Sequence, residues 1–561
     1  MDTADRSEQD SSPGKVTRRV ALRLAVVGAG SALLAAACGG AAPPATSSAS
    51  VPHTSSSATG SGSAQPVGSA PASGQPKTGG KLRVGIQGDI LGLDGFIWSP
   101  NNSNTIGQIY DQLITLDEQL KPQPRLAESW NLSPDNKTIT FNLRKGVHWH
   151  SGRELTSDDV KYSLLRAQNP KTLYRATVGP GASFWKTVDT PDKYTVVLTS
   201  DKPRAGAFDS VLYLRILDKQ LMEGPDAKTK ANGTGAFKFV EWVTGDHITI
   251  AKNPNYWEPG LPYLDEVTIK IFKDEPGMVA ALEAGALDMA FSPSIQDAVR
   301  MKTNPKYKVF NDDKLGQYFY LQLNANVPPT DNKLVRQALA YAIDRKRFTD
   351  TVMQGFAGAP QDLPWPPQSA AAEPAKNDLY TFDLNKAKSL LAKSGVSKPT
   401  FDLAWAQANF AEQYAALAQI IQSDLAQIGV KATLKPTDGS TFFSAGLGLK
   451  PKYNGGRLSG AAFTNVSEPS SHFILSSTFG SAINASGYYD NHYKALVSSA
   501  ASQPDAAKRK QIYSQINDYI LDAAYCLPIS KYPNIMIMGS NVQGLGYYPV
   551  LQWTLRTTWL S

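Results

Sequence analysis

The chain has 561 residues, of which 42% are hydrophobic and 19% are charged, and its formal net charge at neutral pH is +7. This length excludes a single small domain, and the balance of apolar and charged residues is typical of a globular protein. The positive charge is spread thinly, without the lysine and arginine clusters of a nucleic-acid-binding surface, so we expect no nucleic-acid partner.

The N-terminal 37 residues resemble a secretion signal. Arg18 and Arg19 precede an apolar run, 20–34, which is too short to span a membrane and is followed by small residues. Cys38 comes directly after them, where a bacterial lipoprotein signal places the cysteine that receives diacylglycerol. We therefore expect a signal peptide at 1–37, lipidation of Cys38, and a location on the outer face of the cytoplasmic membrane or in the periplasm. An ordinary secretion signal and twin-arginine export remain open.

Residues 38–80 are dominated by Ser, Ala, Gly, Pro and Thr, and Lys77 is their only residue with a formal charge. Such a segment buries too little apolar surface to offset the entropy of ordering it. The composition predicts a disordered tether with a typical reach of about 35 Å between the lipid anchor and the folded protein.

Alternating apolar residues beyond the tether predict strands, and apolar stripes with capping residues predict helices. The predicted strands are 81–86, 138–144, 237–242, 247–251, 264–272, 401–405 and 431–434, of which the third and fourth form a hairpin. Helices are predicted after the capping box at 156–159, after Asp331 or Asn332, after Asp383, and over 410–428. The last helix lies between two strands as a βαβ unit, so the sequence predicts an α/β protein with more than one lobe.

Three long blocks of sequence resemble the family 5 solute-binding proteins of ABC transporters, a group that includes oligopeptide-, dipeptide- and nickel-binding proteins. The blocks run through LAESW at 126–130 to DDV at 158–160, through GTGAF at 233–237 to PYLDEV at 262–267, and through VRQALAYAIDR at 335–345. The resemblance covers about 81–561, nearly all of the sequence beyond the tether.

The resemblance implies a periplasmic-binding-protein-like α/β fold, with two lobes joined by a two-segment hinge and an extra domain inserted on one lobe. Carried over, lobe I comprises 81–121, 232–318 and 525–561, domain II comprises 122–231, and lobe III comprises 319–524. The hinge strands are expected near 318–324 and 525–531. A peptide or similar small solute would bind between the closing lobes and pass to ABC permease and ATPase subunits. We expect a monomer that needs no cofactor.

One position departs from the oligopeptide-binding relatives. In those proteins an Asp shortly before a Glu-Pro pair binds the α-ammonium of the peptide, whereas this chain has Asn465 before Glu468 and Pro469. An amide offers a carbonyl oxygen but no charge, so a buried ammonium would lose its counter-ion. Either Glu468 supplies the carboxylate, or the ligand is not a peptide with a free amine.

Further ligand contacts are expected where aromatic and amide side chains follow strand ends of lobe III and the hinge. These candidates are Trp405, Gln407, Asn409, Phe443, Tyr488 and Tyr532. His148 and His150 flank Trp149, but no carboxylate or cysteine is grouped with them in sequence, so we expect no metal site there.

The sequence contains no zinc-protease motif, no nucleophile elbow and no phosphate-binding loop, and we therefore expect no enzyme. Two alternatives to a peptide importer stay open. One is a binding protein of the same fold for an oligosaccharide, a nickel chelate or another solute, and the other is a solute sensor that feeds a receptor rather than a permease.

Overall fold

The computed structural model describes residues 74–174, 178–311, 317–407, 411–446, 451–460, 466–475, 485–488, 490–548 and 552–561. The strands in these residues are β1 Lys81–Gln87, β2 Ile114–Leu116, β3 Pro122–Pro124, β4 Ala127–Leu132, β5 Thr138–Leu143, β6 Thr187–Asp192, β7 Thr195–Thr199, β8 Phe237–Val243, β9 His247–Lys252, β10 Glu266–Phe272, β11 Met289–Phe291, β12 Tyr307–Asn311, β13 Tyr318–Leu323, β14 Thr400–Ala406, β15 Lys431–Thr437, β16 Gly455–Gly460, β17 Cys526–Lys531, β18 Ile535–Gly539, β19 Val542–Gln543, β20 Gly546–Tyr548, β21 Gln552–Thr554 and β22 Trp559–Leu560.

The helices of the same residues are α1 Pro100–Ile106, α2 Ser157–Gln168, α3 Gly179–Ala182, α4 Asp209–Leu212, α5 Lys219–Met222, α6 Glu275–Glu283, α7 Ile295–Lys302, α8 Lys333–Ala342, α9 Arg345–Thr351, α10 Leu384–Lys393, α11 Ala411–Ala426, α12 Gly439–Ala445, α13 Pro469–Leu475, α14 Asn491–Ser502 and α15 Ala506–Ala523. Two short 3₁₀ turns occupy Pro225–Lys228 and Pro374–Lys376.

The local sequence signals correspond to these elements. The predicted hairpin is the antiparallel pair β8 and β9, and the predicted βαβ unit is β14, α11 and the parallel strand β15. Asp159 accepts a hydrogen bond from the Thr156 N–H at 2.9 Å, as the capping box requires. Asn332 and Asp383 cap α8 and α10 by accepting from backbone N–H groups of the first turn. These strand, helix and cap predictions are confirmed.

Three larger sheets organise the molecule. A seven-stranded sheet has the order β12-β18-β11-β1-β10-β9-β8 and forms lobe I, and a five-stranded sheet with the order β15-β14-β16-β13-β17 forms lobe III. The four-stranded sheet of domain II has the order β4-β5-β7-β6. Strand β17 falls in a range expected for lobe I, but it pairs with β13 in the five-stranded sheet.

The chain passes from the first of these sheets to the second between β12 and β13 and returns between β17 and β18. The strands that flank these passages pair with each other, since β12 pairs antiparallel with β18 in lobe I and β13 pairs antiparallel with β17 in lobe III. Asn311 lies opposite Ile535 on one side of the junction, and Tyr318 lies opposite Lys531 on the other. Two adjacent strands joining two lobes form the two-segment hinge.

Domain II is attached to lobe I by a shared core and a buried ion-pair network. Val84 of lobe I and Phe141 of domain II belong to one cluster of fully buried apolar side chains. Arg125, at the start of domain II, donates to Asp111 at 2.7 Å and to Glu258 at 2.6 Å. Removing one partner of such a buried pair costs about 3–5 kcal/mol, so domain II is held firmly to lobe I.

Domain II also contacts lobe III. Asp209, the buried first residue of α4, accepts hydrogen bonds from the Ser467 N–H at 2.7 Å, from the Ser467 hydroxyl at 2.8 Å and from the Glu468 N–H at 3.0 Å. The Ala205 N–H donates to the Ala501 carbonyl at 3.0 Å. Both contacts join segments far apart in sequence, so they form only when domain II and lobe III come together.

This contact is expected to depend on pH. Burial raises the pKa of Asp209 from 3.8 to about 6, with hydrogen bonds from Ser467 opposing the rise and the charge of Glu468 adding to it. A raised carboxyl pKa favours the protonated folded form, so its stabilising contribution is full below about pH 4 and is lost as the pH rises through about 6. Between pH 5 and 7 the wild type should lose about 1 kcal/mol of unfolding free energy relative to Asp209→Asn, which keeps the shape but cannot ionise.

Urea unfolding of both proteins at pH 5, 6 and 7 measures this difference. Parallel pH dependence of the wild type and Asp209→Asn would contradict the assignment of the titrating group.

Candidate ligand-binding cleft

A cavity of about 660 Å³ lies between lobe I and lobe III, near the carboxyl ends of β1, β11 and β14. The carboxyl ends of strands in open α/β sheets, where loops and helix starts converge, are the usual place for ligands. Lobe I lines the cavity with Gln87, Gly88, Asn101, Lys273, Asp274, Glu275, Pro276, Phe291, Ser292, Pro293 and Ser294, and lobe III lines it with Gln407, Glu412 and Gln413.

An acidic cluster forms the lobe I wall. Glu275, in the first turn of α6, accepts a hydrogen bond from the Ser294 N–H at 2.9 Å. The Ser294 hydroxyl caps α7 and donates to Asp297 at 2.9 Å, while Asp297 interacts directly with Glu275. Burial raises the pKa of Glu275, and the charges of Asp297 and Glu412 raise it further. Arg300 forms an ion pair with Asp297, and Lys273 lines the cavity beside Asp274 and Glu275, which leaves the described lobe I lining with one net negative charge.

The lobe III wall adds a second carboxylate. Glu412 and Gln413 lie in the first turn of α11, and Gln407 follows β14 with its N–H donating to the Thr437 carbonyl at 2.8 Å. Because Glu275 and Glu412 line the same cavity from different lobes, the two lobes present like charges to it, and the charge of Glu412 raises the pKa of Glu275. A cationic group between the walls would relieve this repulsion, whereas an anion would increase it.

Ser292 lines the cavity in a conformation that side chains rarely adopt. Its φ is +55°, and its N–H donates to the Ile535 carbonyl, the first residue of β18, at 3.0 Å. Residues held in the left-handed region cost about 1–3 kcal/mol and cluster at binding sites and switch regions. Ser292 thus joins the cavity wall directly to the hinge.

The structure brings only part of the expected ligand set to this cavity. Gln407 lines it, whereas Trp405 is buried in the apolar core of lobe III. Phe443 belongs to α12, and its side chain, like Asn409 and Asn465, lies outside the part that the structure describes.

Glu468 lies in a buried ion pair. Its carboxylate is 2.9 Å from the Arg509 guanidinium and also accepts a hydrogen bond from the Tyr513 hydroxyl. The contact that its backbone N–H makes with Asp209 places it at the junction of domain II and lobe III. Its position thus ties the loop before α13 to α15.

The two tyrosines lie elsewhere. Tyr488 stacks on Tyr525, with ring centroids 4.7 Å apart, and its hydroxyl accepts from Tyr519 at 3.2 Å. Tyr532 is in the return passage of the hinge, where its ring packs at 4.8 Å on Phe319. In the described residues, neither tyrosine lines the cavity between the lobes.

The cleft carboxylates were not found from the sequence. Glu275 and Glu412 each stand in the first turn of a helix, where an acidic residue stabilises the positive end of the helix dipole and carries no special signal. The pattern at Ser294 and Asp297 marks a helix start that could have been recognised. Only the assembled lobes bring these helix starts to one cavity.

The described residues show neither a metal cluster nor a membrane-spanning helix. No group of three His, Cys, Asp or Glu among them is placed to hold a metal ion, and none of their helices is both long and apolar enough to cross a bilayer. His150 makes hydrogen bonds to Gly233 and Gly235, and burial lowers its pKa to about 4. His150 therefore packs where domain II meets lobe I.

Curated relatives are similar over most of this chain. Heme-binding protein A of Haemophilus influenzae is 29% identical over 473 residues, which cover 78% of this chain and 84% of that protein. Glutathione-binding protein GsiB of Shigella flexneri is 25% identical over 482 residues, which cover 83% of this chain and 92% of that protein. Both are binding proteins rather than enzymes, as is expected of this chain.

A solved structure shares the fold. The binding protein AgaA of A. tumefaciens R10, solved with agropinic acid, superposes with a TM-score of 0.73 at 26% identity, covering 86% of this chain and 99% of that one. The model of the family described as bacterial extracellular solute-binding proteins, family 5, matches residues 121–495. The chain therefore belongs to the family 5 extracellular solute-binding proteins of ABC transporters, and the two-lobe periplasmic-binding-protein fold expected from its sequence is confirmed.

Proposed function

We propose that this protein is the lipid-anchored, substrate-binding component of an ABC importer and that its ligand is a small solute carrying an ammonium group, with peptides as the foremost class. The observation that carries the proposal is the pair of carboxylates, Glu275 and Glu412, that two different lobes bring to one cavity. Cys38, the proposed anchor, lies outside the described residues.

An ammonium group would couple binding to closure. Without a ligand, approach of the lobes brings Glu275 towards Glu412 and raises their mutual repulsion. A cation between them converts that repulsion into attraction for both walls, so the ligand binds the closed form more tightly than the open form. The amide groups of Gln407 and Gln413 offer donors and acceptors for a peptide backbone in the same cavity.

The names of two relatives support this solute class, whereas the Haemophilus influenzae relative is named for heme, which has no ammonium group. One curated relative is named a glutathione-binding protein, and another, from Bacillus subtilis, a dipeptide-binding protein. Glutathione and dipeptides each carry one ammonium group. Delivery to a permease is proposed to follow closure, with domain II (122–231) moving with lobe I because the two share a core.

A paired set of ligands tests the ammonium requirement. Trialanine should stabilise the purified protein in a thermal-shift assay, whereas N-acetyl-trialanine, which lacks the charge, should give little or no shift. A ligand at one hundred times its dissociation constant adds about 2.7 kcal/mol to stability, which is easily measured. Oligosaccharides and nickel, with and without chelators, complete the panel. A shift with sugars alone, or equal shifts with both peptides, would contradict the proposal.

Charge-neutral variants test the two carboxylates. We expect Glu275→Gln and Glu412→Gln each to weaken binding of the stabilising ammonium ligand about tenfold, or about 1.4 kcal/mol, because each removes one counter-charge while keeping the side-chain shape. Calorimetric titration measures this loss. Glu223→Gln, directly after α5 and paired with Lys219 on the surface, is the matched control and should bind as the wild type does.

The stability of the unliganded variants separates binding from folding. Removing one of two like charges should leave the unfolding midpoint of free Glu275→Gln and Glu412→Gln unchanged or raised. Unchanged affinity in both variants would show that the cation binds elsewhere.

A further inference from the structure

Lobe III contains a second cavity, separate from the cleft. It measures about 290 Å³ and lies between α12, the loop 452–454 and the strands β14, β15 and β16. It shares no lining residue with the cavity between the lobes, and every lining residue belongs to lobe III. Within the described residues it is therefore a separate site from the one proposed for the cleft ligand.

Arg457 is the unusual residue of this cavity. It lies on β16 opposite Gln322 of β13 and Ala404 of β14, so its side chain starts from the middle of the sheet. Only 5% of its surface is exposed, although guanidinium groups are rarely buried without a counter-ion. Burial lowers the pKa of Arg457, which is the effect of a charge that its surroundings do not balance.

The contacts of Arg457 are aromatic rather than acidic. Its guanidinium carbon lies 3.8 Å from the centroid of the Phe442 ring and 5.6 Å from that of Tyr453. Nε has no hydrogen-bond partner, and within the described part of the chain no carboxylate forms an ion pair with the guanidinium. The faces of aromatic rings attract the positive charge, but they accept no hydrogen bonds from the N–H groups in the guanidinium plane. Those N–H groups match the oxygen atoms of a carboxylate or a phosphate.

The charged residues around the cavity also favour an anion. Lys435 and Lys452 also line it, and among the described lining residues Asp402 alone is acidic. Hydroxyl and amide groups of Thr437, Thr441 and Asn454 complete a polar wall. Three cations against one carboxylate, around a cavity of small-ligand size, favour an anionic occupant.

We propose that this cavity of lobe III binds a small anion, a carboxylate or a phosphate group, through bidentate hydrogen bonds to Arg457. The anion comes from solution and not from the transported solute, because this cavity and the cleft share no described lining residue. Gly446 allows this arrangement, since a Cβ at that position would overlap the Nη1 atom of Arg457.

Titration with inorganic phosphate and with acetate tests the site. Both should raise the unfolding midpoint of the wild type saturably in a low-salt, phosphate-free buffer. Arg457→Met should abolish this rise, and without any anion it should be at least as stable as the wild type, because it removes an unpaired buried charge. Gly446→Ala keeps the charge but displaces the guanidinium, so it should weaken phosphate binding about tenfold. Lys431→Gln, an exposed change on β15, is the control and should retain the response.

Each possible result of these titrations either supports or contradicts the anion proposal. Equal phosphate and acetate responses in the wild type and Arg457→Met, or no saturable response in the wild type, would overturn it. Loss of stability in anion-free Arg457→Met would show that the residue serves the fold instead. Arg457→Met should leave binding of the cleft ligand unchanged, and a weaker cleft affinity in this variant would contradict a site separate from the cleft. Glu275→Gln should leave phosphate binding unchanged, so a failure of the ammonium proposal for the cleft can be distinguished from a failure of the anion proposal.

Discussion

The rest of the structure depends on the pairing that carries two neighbouring strands from one sheet into the other. Strands β12 and β18 pair in lobe I, and β13 and β17 pair in lobe III, so paired strands flank both connections between the lobes. A hinge of two connections lets the lobes rotate as rigid bodies. The helix starts that line the cleft are attached to sheets on either side of this hinge, so its geometry determines how closely they approach.

Charged groups on the two lobes influence whether the lobes open or close about this hinge. The carboxylates of Glu275 and Glu412 oppose approach of the empty lobes, while hydrogen bonds between Asp209 and the loop before α13 favour it. A ligand that binds the closed form more tightly than the open form shifts this balance towards closure. Arg457 lies outside this balance, in the interior of lobe III, and its proposed anion binds separately from the cleft ligand.

The sequence predicted what local chemistry determines. Caps at Asn332 and Asp383 and the parallel pair around α11 follow from residues within one or two turns, and the family blocks implied the two-lobe fold. The cleft was harder to predict from the sequence, because Glu275 and Glu412 are 137 positions apart. Only the arrangement of the sheets brings them to one cavity. Glu468 shows the opposite case. A local Glu-Pro pattern suggested a ligand carboxylate, but Arg509, distant in sequence, forms an ion pair with it.

Small-angle X-ray scattering with and without a saturating ammonium ligand tests the central claim most directly. If binding closes the lobes about the β12–β18 hinge, the radius of gyration should fall on saturation, and Glu275→Gln should need more ligand for the same change. An unchanged radius of gyration at full occupancy, with binding verified by calorimetry in the same sample, would contradict the account.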